Sequence, residues 1–170
     1  MSDRSYTTID KTGWGDGPWQ EEPDKLQWID EQTGLDCLIV RNRLGALCGY
    51  VGVPPEHSWH GRDYGDGGDD EEEDSPSALD VHGGLTFSAR CDEDVPPQHA
   101  ICHVPEPGRP DDIWWFGFDC GHFMDVQPAF EARERRMGLA PLRFGGETYK
   151  TVDYVRRQCA YLAAQLARIA

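Results

Sequence analysis

Between Thr151 and Ala170, the residues Val152, Val155, Cys159, Leu162, Leu166 and Ile169 recur three and four positions apart, which lays one apolar face along a helix. Thr151 is placed to cap that helix, because a side-chain oxygen there reaches a backbone donor left unpaired in the first turn, and Asp153 suits the positive end of the dipole. The stripe runs for only about three heptads, which favours packing across a sheet over a coiled coil. Upstream the period changes. Leu26-Gln-Trp-Ile-Asp30, Asp36-Cys-Leu-Ile-Val-Arg41 and Ala46-Leu-Cys-Gly-Tyr-Val-Gly-Val53 read as strands, joined through Thr33-Gly34 and Asn42-Arg-Leu-Gly45. Such short connections predict an antiparallel meander, ended by Pro54 and Pro55, which offer the ladder no donor.

Leu85-Thr-Phe-Ser88, Ile101-Cys-His-Val104 and the aromatic run Ile113-Trp-Trp-Phe-Gly-Phe-Asp-Cys-Gly-His122 extend the strand pattern. A second helix is expected from about Pro128 to Met137, with proline acceptable in the first turn and Gly138 suited to the stop. The resulting class is α+β, an antiparallel sheet with a long C-terminal helix packed on one face. Residues 1–170 make a single domain. It carries an N-terminal arm over about residues 1–24, pinned by Trp14 and Trp19, and a disordered acidic loop over about residues 57–77. Within that loop His57, Trp59 and His60 read as a surface turn with the indole tucked inward.

A chain of 170 residues is large enough for one core. Its net charge of −15 disfavours nucleic acid and anionic membranes and favours basic partner surfaces. The stretch from Asp63 to Asp74 holds eight acidic residues and no basic one. Within it Asp69, Asp70, Glu71, Glu72, Glu73 and Asp74 form a candidate partner-binding loop. There is no run of about 18 apolar residues that would span a membrane, and no apolar N-terminal stretch resembling a signal peptide. Six cysteines without a Cys-x-x-Cys pair then read as reduced thiols of a cytoplasmic protein, with Cys37, Cys48 and Cys159 in the core.

Candidate chemistry gathers at the polar ends of two strands. Asp80-Val-His-Gly-Gly-Leu-Thr-Phe-Ser88 is polar and glycine-rich first and strand-like afterwards, whereas the 113–122 run has the opposite order. Antiparallel pairing would therefore bring His82 close to His122. Asp80, His82, Asp119, Cys120 and His122 supply carboxylate, thiolate and imidazole, the ligand types that suit zinc. The alternative is a satisfied structural cluster, with Asp119 on backbone donors and Cys120 buried. Gly83 and Gly84 invite comparison with anion-binding turns, but the spacing matches neither a Walker nor a dinucleotide fingerprint, and a tight structural turn explains them as well.

Gly-Pro-Trp at 17–19, Cys-Gly-Tyr-Val-Gly-Val at 48–53, Asp-Val-His-Gly-Gly-Leu-Thr-Phe at 80–87 and Trp-Trp-Phe-Gly-Phe-Asp-Cys at 114–120 resemble a family of small bacteriophage and prophage proteins. The resemblance covers most of the chain and implies a phage or prophage setting in the host bacterial cytosol, where small acidic proteins often bind and inhibit host factors; it implies no activity. Three readings follow. The first is an acidic interaction protein that presses carboxylates against the basic surface of a host factor, a counter-defence inhibitor of a nucleic-acid-handling complex. The second is a small metal- or cysteine-dependent hydrolase built on the His82/Asp119/Cys120/His122 cluster. The third is a module binding a nucleotide-like ligand at His82-Gly-Gly.

Overall fold

The computed structural model describes residues 3–66, 74–92, 94–104 and 111–169. Strands β1 (Arg4–Tyr6), β2 (Lys25–Ile29), β3 (Asp36–Arg41), β4 (Leu47–Val53), β5 (Phe87–Arg90) and β6 (Trp114–Asp119) build one antiparallel sheet in the order β1-β2-β3-β4-β6-β5. Two helices follow, α1 (Pro128–Arg136) and α2 (Val152–Leu166). The β2-β3-β4 meander expected from the short connections is present, with Trp28 opposite Cys37 and Cys37 opposite Val51. Strand β6 inserts between β4 and β5, so the aromatic run lies beside the most buried strand of the sheet.

Alternation along the strands creates two apolar faces. Cys37, Ile39, Val51, Val53, Phe116 and Phe118 point to one side, where they form a single cluster with Val155, Cys159, Leu162 and Leu166 of α2. The Thr151 hydroxyl caps that helix by accepting from the Tyr154 N–H at 3.3 Å. A glycine is required at position 49, because a Cβ there would lie 2.4 Å from the Phe118 ring and 2.8 Å from Cys159 Sγ. The opposite face carries Leu38, Cys48, Tyr50 and Trp115. It is covered by the connection between β5 and β6 rather than by a helix, through Cys91, Ile101 and Ile113.

Two expectations need correction on that second face. Residues 101–104 form no strand, and Lys25, fully buried, is instead tied to this connection by donating to the Pro97 and Cys102 carbonyls at 2.6 and 2.7 Å. The thiols are also not all reduced, because Cys91 and Cys102 form a disulfide with Cα atoms 4.5 Å apart. Spacing offered no sign of this pair, since the two cysteines flank an irregular segment. Cys37, Cys48, Cys120 and Cys159 remain free and buried.

The N-terminal arm does more than lie on the surface. Its β1 extends the sheet, and the Asp24 carboxylate gathers it by accepting from the Thr8 and Ile9 N–H groups while pairing with Lys11 and Arg41 at 2.8 and 2.9 Å. Glu22 then accepts from the Tyr149 hydroxyl and from the Val152 N–H at the start of α2. Trp19 meets the Tyr149 ring edge-on at 5.1 Å. Of the acidic loop, residues 67–73 lie outside the described residues, which removes Asp69, Asp70, Glu71, Glu72 and Glu73 from structural account; Asp74 is exposed. The flanks are anchored: Trp59 is buried against Phe116, His57 contacts the Leu166 carbonyl at 3.0 Å, and Ser75 and Pro76 are buried. No described helix is long and apolar enough to cross a membrane.

Candidate functional site

Pairing of β5 with β6 sets Phe87 opposite Gly117, and the segments leading away from that pair meet at one end of the sheet. His82 and His122 face each other there, ring centroids 5.8 Å apart. The segment around His82 is held by one face of α2, whose residues at helical spacing line up beside it. Gln158 Oε1 accepts from the His82 N–H, while Gln165 brackets Asp80 by accepting from its N–H and donating to its carbonyl. Tyr154 sits one turn before Gln158, with its hydroxyl 2.8 Å from His82 Nδ1.

The other imidazole nitrogen, His82 Nε2, lies 2.7 Å from Asp125 Oδ2. Asp125 also accepts from the His122 N–H at 3.1 Å and has Lys150 Nζ 3.4 Å away. Burial, with smaller contributions from Cys120 and the Asp125 carboxylate, raises the Tyr154 pKa above its ordinary value, so its hydroxyl keeps its proton. A neutral imidazole satisfies the chain with Tyr154 donating to Nδ1 and Nε2–H donating to Asp125. Met124, next to Asp125, adopts φ 75°, an uncommon conformation for a residue with a side chain. It is held there by the Met124 carbonyl, which accepts from the Thr148 N–H.

Of the five side chains expected to gather, the two histidines meet with Asp119 beside His122, while Asp80 and Cys120 are engaged elsewhere. Asp119 accepts from the Gly121 N–H at 2.9 Å and lies 3.6 Å from His122 Nε2. Asp80 accepts from the Tyr161 hydroxyl at 3.3 Å on the flank of α2. Cys120 is buried in the main core cluster, where burial pushes its thiol pKa far above the ordinary value, which makes a thiolate nucleophile costly. Among the described residues these five do not converge as one ligand set. Gly83 is not an open cradle either, since His122 Nε2 lies only 2.1 Å from where a Cβ at that position would stand.

No family model, curated protein or solved structure matches the chain. Its site therefore has to be read from its own geometry.

The sequence reading missed Asp125, Tyr154 and Gln158. Asp125 carried no periodic signal, while Tyr154 and Gln158 lie just off the apolar stripe of α2, where polar residues are ordinarily solvent-facing. Beside the histidines, the chain from Phe123 to Phe144 carries a second feature that hydrophobic patterning did not flag. Phe123, Leu142 and Phe144 are 75%, 83% and 68% exposed, with Met137 and Leu139 also exposed. The Phe123 and Phe144 rings contact each other at 5.2 Å. They border a cleft of about 380 Å³ whose walls include Glu131, Glu134, Glu147 and Arg143. Arg143 is neutralised by Glu131 at 2.8 Å, which leaves the cleft acidic around an apolar centre.

Proposed function

We propose that the protein is a phage-associated acidic interaction protein whose contact face is centred on Phe123, Leu142 and Phe144 and which docks the basic surface of a host factor. The carrying observation is the exposed apolar cluster with its acidic rim. Water-exposed phenylalanine and leucine side chains of this size each gain about 1.5–3 kcal/mol on burial, and contiguous patches of them mark binding surfaces. Carboxylates around such a patch select a cationic partner and speed encounter with it. A basic groove that handles nucleic acid presents that complement, and the phage setting implied by the sequence resemblance makes a counter-defence inhibitor the role. The acidic 69–74 segment would extend the same electrostatic attraction.

The test is affinity capture from the host cytosol with wild type and a Leu142→Asp/Phe144→Asp variant of equal melting temperature, followed by binding measurements with the purified partner. The expected partner binds DNA or RNA, is displaced by it in competition, and binds the variant at least tenfold more weakly. Equal affinity for both proteins, or simultaneous binding of nucleic acid and inhibitor, would refute the reading.

A second reading has one specific observation behind it: the Tyr154–His82–Asp125 chain, in which a carboxylate orients an imidazole, is an arrangement used for general acid–base hydrolysis. With Cys120 buried, His82 rather than a cysteine would carry that chemistry. Loss of a measured hydrolytic activity in His82→Gln, with the fold retained, would support it over the interaction role.

A further inference from the structure

A different corner of the molecule brings metal-binding side chains together. Cys91 Sγ, Cys102 Sγ, a ring nitrogen of His103 and a carboxylate oxygen of Asp111 all lie within 4.8 Å of one another. His103 is buried, and its Nε2 has no hydrogen-bond partner. Its Nδ1 faces Cys91 Sγ and Asp111 Oδ1, each 4.0 Å away. Asp111 Oδ1 stands 3.3 Å from Cys102 Sγ. In the disulfide state neither sulfur has a proton to offer that carboxylate, so atoms carrying lone pairs crowd together without a donor between the sulfur and the oxygen.

We propose that the reduced form of this corner binds one zinc ion through Cys91 Sγ, Cys102 Sγ, His103 Nδ1 and an Asp111 carboxylate oxygen, so that the β5–β6 connection is closed either by the metal or by the disulfide. Two sulfurs, one nitrogen and one oxygen make an ordinary four-coordinate zinc set. Sulfurs bound at about 2.3 Å in a tetrahedron stand about 3.8 Å apart, a separation that cleavage of the S–S bond permits. The surroundings suit thiolates. Trp115 Nε1–H donates to Cys91 Sγ at 3.3 Å, and the ammonium of Lys25 sits on the Cys102 carbonyl. Two thiolates and a carboxylate around a divalent cation leave one net negative charge, which that ammonium offsets. Asp111 is half exposed, with its side chain at 49%, and provides an entry path from solvent.

The need for a closure comes from the fold. The described residues of this connection, 91–92, 94–104 and 111–113, contain neither strand nor helix yet cover one face of the sheet. The bonds that tie this segment to the sheet come from single side chains, Lys25 on the Pro97 and Cys102 carbonyls and Gln27 on the Val104 backbone, and a cross-link or a metal removes freedom that such contacts leave. Conversion from the disulfide is a two-electron reduction. A water-soluble phosphine takes the sulfur bond, water supplies the oxygen of the phosphine oxide, two thiols form, and zinc displaces their two protons.

The experiment uses the full chain, reduced with phosphine, desalted without oxygen and titrated with cobalt(II) as a spectroscopic substitute for zinc. One equivalent should bind, with thiolate-to-cobalt charge-transfer absorption and the intense visible bands of a tetrahedral centre, and zinc should displace it. The oxidised protein should show neither signal. Asp111→Asn leaves the disulfide intact, so it folds in the oxidised form; after reduction it should bind cobalt at least tenfold more weakly. His122→Ala should bind as wild type does. Absence of the charge-transfer band in reduced wild type overturns the proposal, as does unchanged affinity in Asp111→Asn or survival of the band in a Cys91→Ser/Cys102→Ser double variant.

Discussion

Replacing Gly83 by alanine tests whether the two-histidine corner is a packed structural joint. Gly83 has φ +69° and would place a Cβ 2.1 Å from His122 Nε2 and 2.3 Å from Cδ2, whereas Gly84, at φ +80°, has nothing within 4 Å of that position. Both substitutions carry the left-handed backbone penalty of about 1–2 kcal/mol. Only Gly83→Ala must also displace the imidazole, and forced repacking of this kind adds about 1–3 kcal/mol. Gly83→Ala should therefore cost about 2–5 kcal/mol in total and Gly84→Ala about 1–2 kcal/mol. Equilibrium urea unfolding of the two single variants, His122→Ala and the Gly83→Ala/His122→Ala double variant gives both costs and their coupling. Removing the ring should relieve the clash, so the double variant is more stable than the two single costs added together predict. Equal destabilisation by the two alanines, or strict additivity in the cycle, would refute the close packing and return Gly83 to the role of an open ligand-binding turn.

Leu162, fully buried in the cluster between α2 and the sheet, should cost about 2–5 kcal/mol on substitution by alanine; a loss below about 1 kcal/mol in urea unfolding would show that the site collapses or is not in the core. Stability should also depend on pH in two opposed ways. The pKa values of Cys37, Cys48, Cys120 and Cys159 are raised above 9.0, chiefly by burial, with Cys48 at about 11. Their contribution is complete below pH 9.0 and is lost as pH rises toward the folded values, because only the unfolded thiols ionise in that window. Lys25 acts in the other direction, since burial lowers it from 10.5 to about 8 and the penalty for its charge is relieved above that pH. The urea midpoint should rise slightly from pH 8 to 9 and then fall, and a midpoint that climbs steadily to pH 10.5 would show that the thiols are not the dominant groups.

The elements that could be read from the sequence are those in which one period persisted. The α2 stripe and the β2-β3-β4 meander each repeat a single spacing long enough to define a buried face, and their short turns leave few ways to connect them. The meeting of His82 with His122 was legible for a related reason, because two segments of opposite polarity order can bury their apolar halves together only when antiparallel. What the sequence hid depends on single side chains reaching across the fold. Asp24 fixes the arm through Lys11 and Arg41, and Asp125 reaches His82 across 43 positions, contacts that no local pattern encodes. Residues 101–104 misled for the opposite reason: Ile101-Cys-His-Val104 has strand-like composition, but its Cys102 and Val104 backbone groups are bonded by the Lys25 and Gln27 side chains of β2 rather than by a ladder, and Cys102 and His103 are buried, with the His103 ring 6.0 Å from that of Trp115. Composition reports that such residues are buried and says nothing of which partner buries them. The same limit explains why the cysteine spacing concealed the Cys91–Cys102 pair. An irregular connection brings its ends together through individual side-chain contacts, here the Lys25 ammonium on two of its carbonyls and the Asp92 carboxylate on the Ile101 N–H, so the approach of a pair 11 positions apart rests on contacts that cysteine spacing does not encode.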